Sequence, residues 1–241
     1  MRIINLTPDS FWEPSRVSID KFAQRLLCCD AEMVDIGAVS TRPGAKEVSE
    51  EEEWNRLKPA MREIAELQKA GTPLPLISID TTSSEIVRRV EAVIGSFIVN
   101  DISAGEDDPM MLPTVAELKL SYIAMHKRGN PRTMDGLNDY PEGVVKGVKD
   151  YFNLFSVKAK LLGIDDWILD PGFGFAKDNA QNLELLLHLD EFKSLGRPIL
   201  AGVADKRFTR SGMILPDGRE LTSAIAEQIA VEKGADIIRT H

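Results

Sequence analysis

Eight short apolar runs, each giving way to a turn or polar loop and all but the last followed by a helix-patterned segment, constrain this chain of 241 residues more than any other feature. The runs fall at 2–5, 33–37, 76–80, 97–101, 122–126, 167–170, 198–202 and 235–241. Between them, apolar residues recur at helical spacing. Ser18 is placed to cap a helix over 19–29 with Phe22, Ala23, Leu26 and Leu27 on one side. Ser49 and Glu52 read as a capping box opening a helix to about residue 69, which Gly71, Pro73 and Pro75 end. Further helices are expected over 83–93, weakly over 113–118, over 143–162, from about 182 to 189, and over 222–233. Eight strands alternating with seven helices predict a single domain over 1–241, an α/β chain of the (β/α)8 TIM-barrel class. A doubly wound sheet would carry a glycine fingerprint after its first strand, and NLTP at 5–8 is not one. The final helix is missing, so the expectation is a truncated chain or a flank covered by something else.

In a barrel, chemistry belongs to the loops at the strands' C-terminal ends. The clearest case is 167–177, where Trp167, Ile168 and Leu169 stop at Asp170, and Pro171 and Gly172 forbid the strand from continuing. Asp170 alone could be no more than a turn cap. Asn5, Asp35, Asp80, Asn100, His126, Asp170, Lys206, Arg239 and His241 nevertheless recur at or just beyond strand ends, which a barrel would gather at one mouth. Asp80, Asn100 and Asp170 suit a flat heterocycle with several N–H donors and ring acceptors. Arg42, Arg239 and His241, with Asn5, suit phosphate oxygens. Mg2+ takes mainly oxygen ligands, and Asn5 together with the substrate's own oxygens could share it.

Bulk properties narrow the partners. The formal net charge of −9 argues against general binding to nucleic acid or to an anionic membrane, without excluding a local basic pocket. Cys28 and Cys29 are adjacent and cannot form an ordinary structural disulfide with each other, so they are expected as buried small apolar residues in a reducing compartment. No charged leader precedes an apolar stretch, and no apolar run approaches the roughly 20 residues that span a bilayer. A cytoplasmic location is the expectation.

Taken together, NLTPDSF at 5–11, DIGAVSTRPGA at 35–45, SIDT at 78–81, VNDI at 99–102, MH at 125–126 with GNP at 129–131, DPGFGF at 170–175 and IRTH at 238–241 resemble the dihydropteroate synthases of the pteridine-binding barrel group, over nearly the whole length. The resemblance implies a transferase of folate biosynthesis, the target of sulfonamides. Such an enzyme joins 6-hydroxymethyl-7,8-dihydropterin diphosphate to 4-aminobenzoate and releases diphosphate. It also implies site roles. Asp80, Asn100, Asp170 and Lys206 would hold the pterin and serve catalysis, with Met125 packing on it and Gly202 in the same site. Asn5, Arg239 and His241 would hold the diphosphate and, through Asn5, Mg2+. Phe11, Thr41, Arg42, Pro43 and Phe175 would surround the aminobenzoate. Members commonly form dimers, which leaves a homodimer open here.

The chain departs from the pattern after its seventh strand. Where members read Gly-Val-Ser-Arg-Lys, this chain has Gly202, Val203, Ala204, Asp205 and Lys206. Ala204 removes a hydroxyl associated with the aminobenzoate carboxylate, and Asp205 puts negative charge where positive is usual. Glu13 stands where Asp is usual, beside a bulky Trp12. Three readings follow: an active synthase with an altered aminobenzoate site, a methyltransferase-type relative binding a reduced folate, and a silent pterin-binding homologue. Plainer expectations are that His188 is a surface or packing residue, that Trp54 and Trp167 are core, and that Lys127 and Arg128 either reach an anionic substrate or form a solvated loop.

Overall fold

The computed structural model describes residues 1–6, 19–39, 48–129 and 136–241. Its contacts group into two compact units, the first comprising Met1–Ile123, Leu162–Asp166 and His241, the second Ala124–Leu161 and Trp167–Thr240.

In the first unit, β1 (Arg2–Asn5), β2 (Met33–Gly37), β3 (Leu76–Asp80) and β4 (Ile98–Asp101) lie side by side in sequence order and are parallel. Parallel neighbours need a crossover, and α1 (Ile19–Leu27), α2 (Glu50–Lys69) and α3 (Ser84–Ile94) are the helical parts of those connections. A fourth helix, α4 (Met111–Leu118), leads into β5 (Ser121–Met125), whose first residues belong to this unit. Ile4, Ile36 and Ile79 of the strands are fully buried, as are Phe22 and Leu26 of α1, Leu57, Met61 and Ile64 of α2, and Val87 and Val90 of α3. Each such side chain contributes about 1.5–3 kcal/mol on leaving water.

The helix starts are chemically defined. Ser49 accepts from the Glu52 N–H at 3.2 Å, but the Glu52 carboxylate turns to Arg56 at 2.9 Å, so the expected box closes on one side only. The reciprocal box lies instead at the start of α6 (Asn179–Leu187), between Asp178 and Gln181. Helix α4 opens at Met111, two residues before the expected start, following a turn in which Asp108 accepts from the Met110 N–H.

The second unit holds the end of β5, α5 (Val144–Leu162) up to Leu161, β6 (Trp167–Asp170), α6, β7 (Leu200–Ala201), α7 (Ser223–Glu232) and β8 (Ile237–Ile238). The His126 N–H donates to the Asp170 carbonyl and the Leu169 N–H to the Pro198 carbonyl, while Leu200 pairs with Ile237 and Ala201 with Ile238. β8 is shorter than the run at 235–241 suggests, although the Arg239 N–H still reaches the Ala201 carbonyl. Phe152 and Phe155 of α5 pack on Trp167, and Phe173 stacks on Phe208. A 3-10 segment at Leu189–Leu195 follows α6, and no sequence signal announced it.

Trp54 and Trp167 are buried as expected. Cys28 and Cys29 correct an expectation: α1 ends at Leu27, so the pair lies past its last turn, Cys28 exposed and Cys29 partly so, both as free thiols. His188 closes α6 with its side chain exposed and facing Glu191. Among the described residues, no helix is long and apolar enough to cross a membrane.

Candidate active site

The expected site residues fall into two sets, one in each unit. Asn5, Asp80, Asn100 and His241 belong to the first; Met125, Asp170, Phe175, Gly202, Lys206 and Arg239 belong to the second. Phe11, Thr41, Arg42 and Pro43, like Trp12 and Glu13, lie outside the described residues.

In the first set, register does the positioning. Asn5 pairs with Gly37, Gly37 with Asp80, and Asp80 with Asn100, which puts the ends of four strands in one row. Gly37 is the gap in that row. A Cβ built on it would lie 3.7 Å from Asp80 Oδ2 and 3.8 Å from Asn5 Oδ1, so two side-chain oxygens converge on the space above the glycine. One step down the same face, two residues earlier in each strand, comes the row of Ile3, Asp35, Ser78 and Ile98. Asp35 and Ser78 are fully buried there. The Ser78 hydroxyl donates to Asp35 Oδ1 at 2.7 Å, and Asn100 Nδ2 donates to Asp35 Oδ2 at 2.9 Å. His241 enters this unit through its main-chain oxygen, which accepts from the Arg2 guanidinium.

Asp101, next to Asn100, serves the turn instead. Its carboxylate accepts from the Ser103 and Gly105 N–H groups and from the Tyr122 hydroxyl at 2.6 Å. Burial pushes its carboxyl above the usual range, and the hydrogen bonds act against that. Strand alternation separates the two roles, since successive residues face opposite sides of a strand.

In the second set, the loop after β6 is the organising element. Asp170 Oδ1 accepts from the Gly172 N–H at 2.8 Å, an Asx-type turn that fixes the carboxylate. Gly172 has φ +70°, and a Cβ there would lie 2.0 Å from the His126 carbonyl oxygen, so no other residue fits. Burial raises the Asp170 carboxyl above its ordinary value, while the Gly172 N–H, Lys206, Arg239 and Lys177 pull it down. Lys206 Nζ sits 5.1 Å from the centre of the Phe175 ring, a cation–π contact that places a charge against an aromatic face. Gly202 brings its backbone against Arg239, whose Cβ lies 4.0 Å from where a Cβ on the glycine would stand.

Lys177 carries no expected role, yet it is the loop's lock. Its buried Nζ donates to the Gly172 and Phe175 carbonyls, both at 2.9 Å, and lies 3.0 Å from His126 Nδ1. Desolvation lowers this lysine to about 7, against an ordinary 10.5, with Asp170 resisting the fall. Nothing in the sequence marks it, because a lysine in a loop is ordinarily a solvated one. His126, also buried, is held neutral, its pKa lowered first by burial and then by Lys177 and Arg128. Lys127 is buried, and Arg128 lies 3.8 Å over the Tyr140 ring, so neither is simply a solvated loop residue.

The departures at 204–205 have a local answer in this unit. Asp205 takes a left-handed backbone at φ +56° and pairs with Arg210 at 2.8 Å, so its charge is matched nearby. Its N–H donates to the Ser223 hydroxyl. Ala204 remains without a side-chain donor.

Asn5 is the residue here that could lend an oxygen to a hard cation such as Mg2+. Asn5 offers one carbonyl oxygen beside Asp80, and no group of three His, Cys, Asp or Glu among the described residues could cage an ion. Mg2+ commonly binds through one or two protein oxygens plus substrate phosphates.

Comparison with known proteins places these features in a family. Residues 1–241 match the pterin-binding enzymes as a whole. The chain is 38% identical over 249 residues to the dihydropteroate synthase of Synechocystis sp., covering 100% of this chain and 84% of that one. It is 40% identical over 252 residues to the folic acid synthesis protein fol1 of Pneumocystis carinii, of which it spans only 33%. Among solved structures, Yersinia pestis dihydropteroate synthase in a sulfonamide drug complex superposes with a TM-score of 0.86 at 33% identity, covering 99% of this chain and 86% of that one. The Xanthomonas albilineans enzyme with 4-aminobenzoic acid gives 0.81 at 34%, covering 99% and 85%. With strands and helices alternating in the order of a (β/α)8 barrel and identity of this degree along its entire length, the chain belongs to the dihydropteroate synthase family of pterin-binding enzymes.

Proposed function

We propose that this chain is a transferase of folate synthesis that condenses 6-hydroxymethyl-7,8-dihydropterin diphosphate with 4-aminobenzoate, giving 7,8-dihydropteroate and diphosphate. The observation that carries the reading is the row of Asn5, Asp80 and Asn100 across three parallel strands, opened by Gly37. It sets an amide oxygen suited to a diphosphate-bound cation beside groups suited to a heterocycle.

Asp80, Asn100, Asp170 and Lys206 hold the pterin, with Met125 against its face. The two carboxylates take ring and amino N–H donors, and their charge stabilises positive charge developing on the pterin methylene. Asn5, Arg239 and His241 hold the diphosphate, and Asn5 supplies the protein oxygen for Mg2+. When bound, the ion neutralises charge on the leaving group. The methylene C–O bond breaks with its electron pair leaving on diphosphate, the arylamine nitrogen forms the new C–N bond, and that nitrogen then sheds a proton. No side-chain nucleophile is required, so positioning and electrostatics supply most of the rate. Phe175 packs against the aminobenzoate ring. The Asp205–Arg210 pair keeps the departure at 205 compatible with that anion.

The test is diphosphate release by the purified chain given the pterin diphosphate and Mg2+, with and without 4-aminobenzoate. Release that depends on aminobenzoate and appears with dihydropteroate supports the synthase reading. Pterin binding without turnover at any aminobenzoate concentration overturns it in favour of a silent homologue.

A further inference from the structure

Asp35 is fully buried in the row beneath Gly37, yet it contributes nothing to the reaction described above. Its surroundings give it a task. A carboxylate can only accept, so the arm of Asn100 facing it has to be the amide nitrogen, which stands 2.9 Å from Asp35 Oδ2. The other oxygen is occupied by the Ser78 hydroxyl at 2.7 Å, which keeps the carboxylate from turning away. An asparagine side chain is nearly symmetric in shape and can present either end. Here one end is assigned by charge, and the carbonyl Oδ1 therefore takes the opposite arm.

We propose that Asp35 is a positioning residue for the pterin half of the site, fixing the Asn100 amide so that it offers an acceptor to a ring or amino N–H. The proposal rests on the reading of Asn100 as a pterin ligand and adds what decides its polarity. The strand register makes this possible: Asp35 pairs with Ser78 and Asp80 pairs with Asn100, so the row beneath carries the acceptor and the row above carries the ligands. Recognition of a heterocycle depends on donor meeting acceptor, and a reversed amide replaces one attraction by a donor–donor clash.

Asp35→Asn keeps the shape and changes the polarity. The introduced amide accepts from Ser78 with its oxygen and turns its N–H2 toward Asn100, which has to flip. Affinity for 6-hydroxymethyl-7,8-dihydropterin diphosphate, measured by titration calorimetry with Mg2+, is expected to fall roughly ten- to a hundredfold. The KM for aminobenzoate should stay within about twofold, since no group facing it changes polarity. Adding Asn100→Asp to Asp35→Asn restores a donor–acceptor pair in the reverse sense and again offers an oxygen to the pterin, so the exchanged pair should bind at least about tenfold tighter than Asn100→Asp alone. Loss of a merely structural contact would not be repaired in this way. The exchanged pair against Asn100→Asp also carries the test should Asp35→Asn not fold by itself. Undiminished pterin affinity in Asp35→Asn, or no gain in the exchanged pair, overturns the proposal. Failure of the unmodified chain to bind the pterin at all would sink the underlying reading of the site.

Discussion

Lys177 Nζ lies 3.0 Å from His126 Nδ1, and both side chains are buried. While Lys177 is an ammonium it can only donate, which makes Nδ1 of the neutral histidine the acceptor; once the lysine is a neutral amine it can instead accept from Nδ1–H. Asp170, Lys206 and Arg128 set the remaining field on the lysine, Asp170 favouring its charge and the two cations opposing it.

This burial predicts a pH signature. The folded lysine titrates near 7 and the unfolded one near its ordinary 10.5. Between those values the unfolded chain binds a proton that the folded chain does not, so this group makes stability rise with pH through that window; the gain is lost as pH falls from 10.5 towards 7, and below 7 the group adds no further pH dependence. Lys177→Met removes the group. The stability of the unmodified chain relative to Lys177→Met, from urea melts, should increase from pH 7 to 10 by up to about 1.4 kcal/mol per pH unit. A difference that is flat over this range would show that the lysine keeps its proton.

Gly172 is the position where the loop tolerates least. Alanine there would put its Cβ 2.0 Å from the His126 carbonyl oxygen and require φ +70°. Because backbone rather than a flexible side chain is in the way, Gly172→Ala should cost at least about 2–3 kcal/mol and displace the Asp170 carboxylate. Gly174→Ala is the control: it meets only Lys206 Cδ at 3.4 Å, although at φ +83°, and should cost about 1 kcal/mol. Equal melting temperatures for the two variants would contradict the close approach.

Much of this was legible in the sequence because parallel strands announce themselves. Trp167, Ile168, Leu169 and Asp170 form a run that ends in a carboxylate, and Pro171 enforces the stop. Asn5, Asp80 and Asn100 were readable as strand ends in the same manner. What could not be read was depth. Asp35 and Asp80 are both acids in strands, and only the register shows that one lies a row beneath the other. Lys177 was hidden by the ordinary preference of lysine for solvent, which its carbonyl acceptors override. Exposure of Cys28 and Cys29 turned on where α1 stops, and helix ends are set by a residue or two that periodicity does not resolve.

The Asp205–Arg210 pair yields a prediction about the second substrate. Both side chains are substantially exposed, at 34% and 45%, so the pair contributes no more than about 1 kcal/mol to stability. Removing Arg210 should therefore leave the melting temperature nearly unchanged. It should also uncover the Asp205 charge and raise the KM for aminobenzoate a few-fold, more at low salt than at high salt. Ala204→Ser should act in the opposite direction, lowering that KM and increasing inhibition by a sulfonamide. Kinetics at two ionic strengths decide the matter, and an unchanged KM in Arg210→Ala would mean that Asp205 lies too far from the aminobenzoate to matter.

Asp170 concentrates the electrostatics of the second unit. Its carboxylate accepts from the Gly172 N–H and feels Lys206, Arg239 and Lys177. Asp170→Asn keeps the shape but removes the negative charge those cations surround, and it sets a donor where a pterin N–H needs an acceptor. The loss should appear in kcat/KM for the pterin diphosphate, by roughly a hundredfold or more, because both ground-state recognition and charge stabilisation at the methylene are affected. Lys177 should titrate still lower in this variant, since Asp170 is the group that favours its charge, and the pH at which relative stability begins to climb should move down with it. The two readouts separate the roles. A kinetic defect without the pH shift would place Asp170 against substrate alone, whereas a pH shift with normal kinetics would make it a structural counter-ion and remove it from the catalytic set.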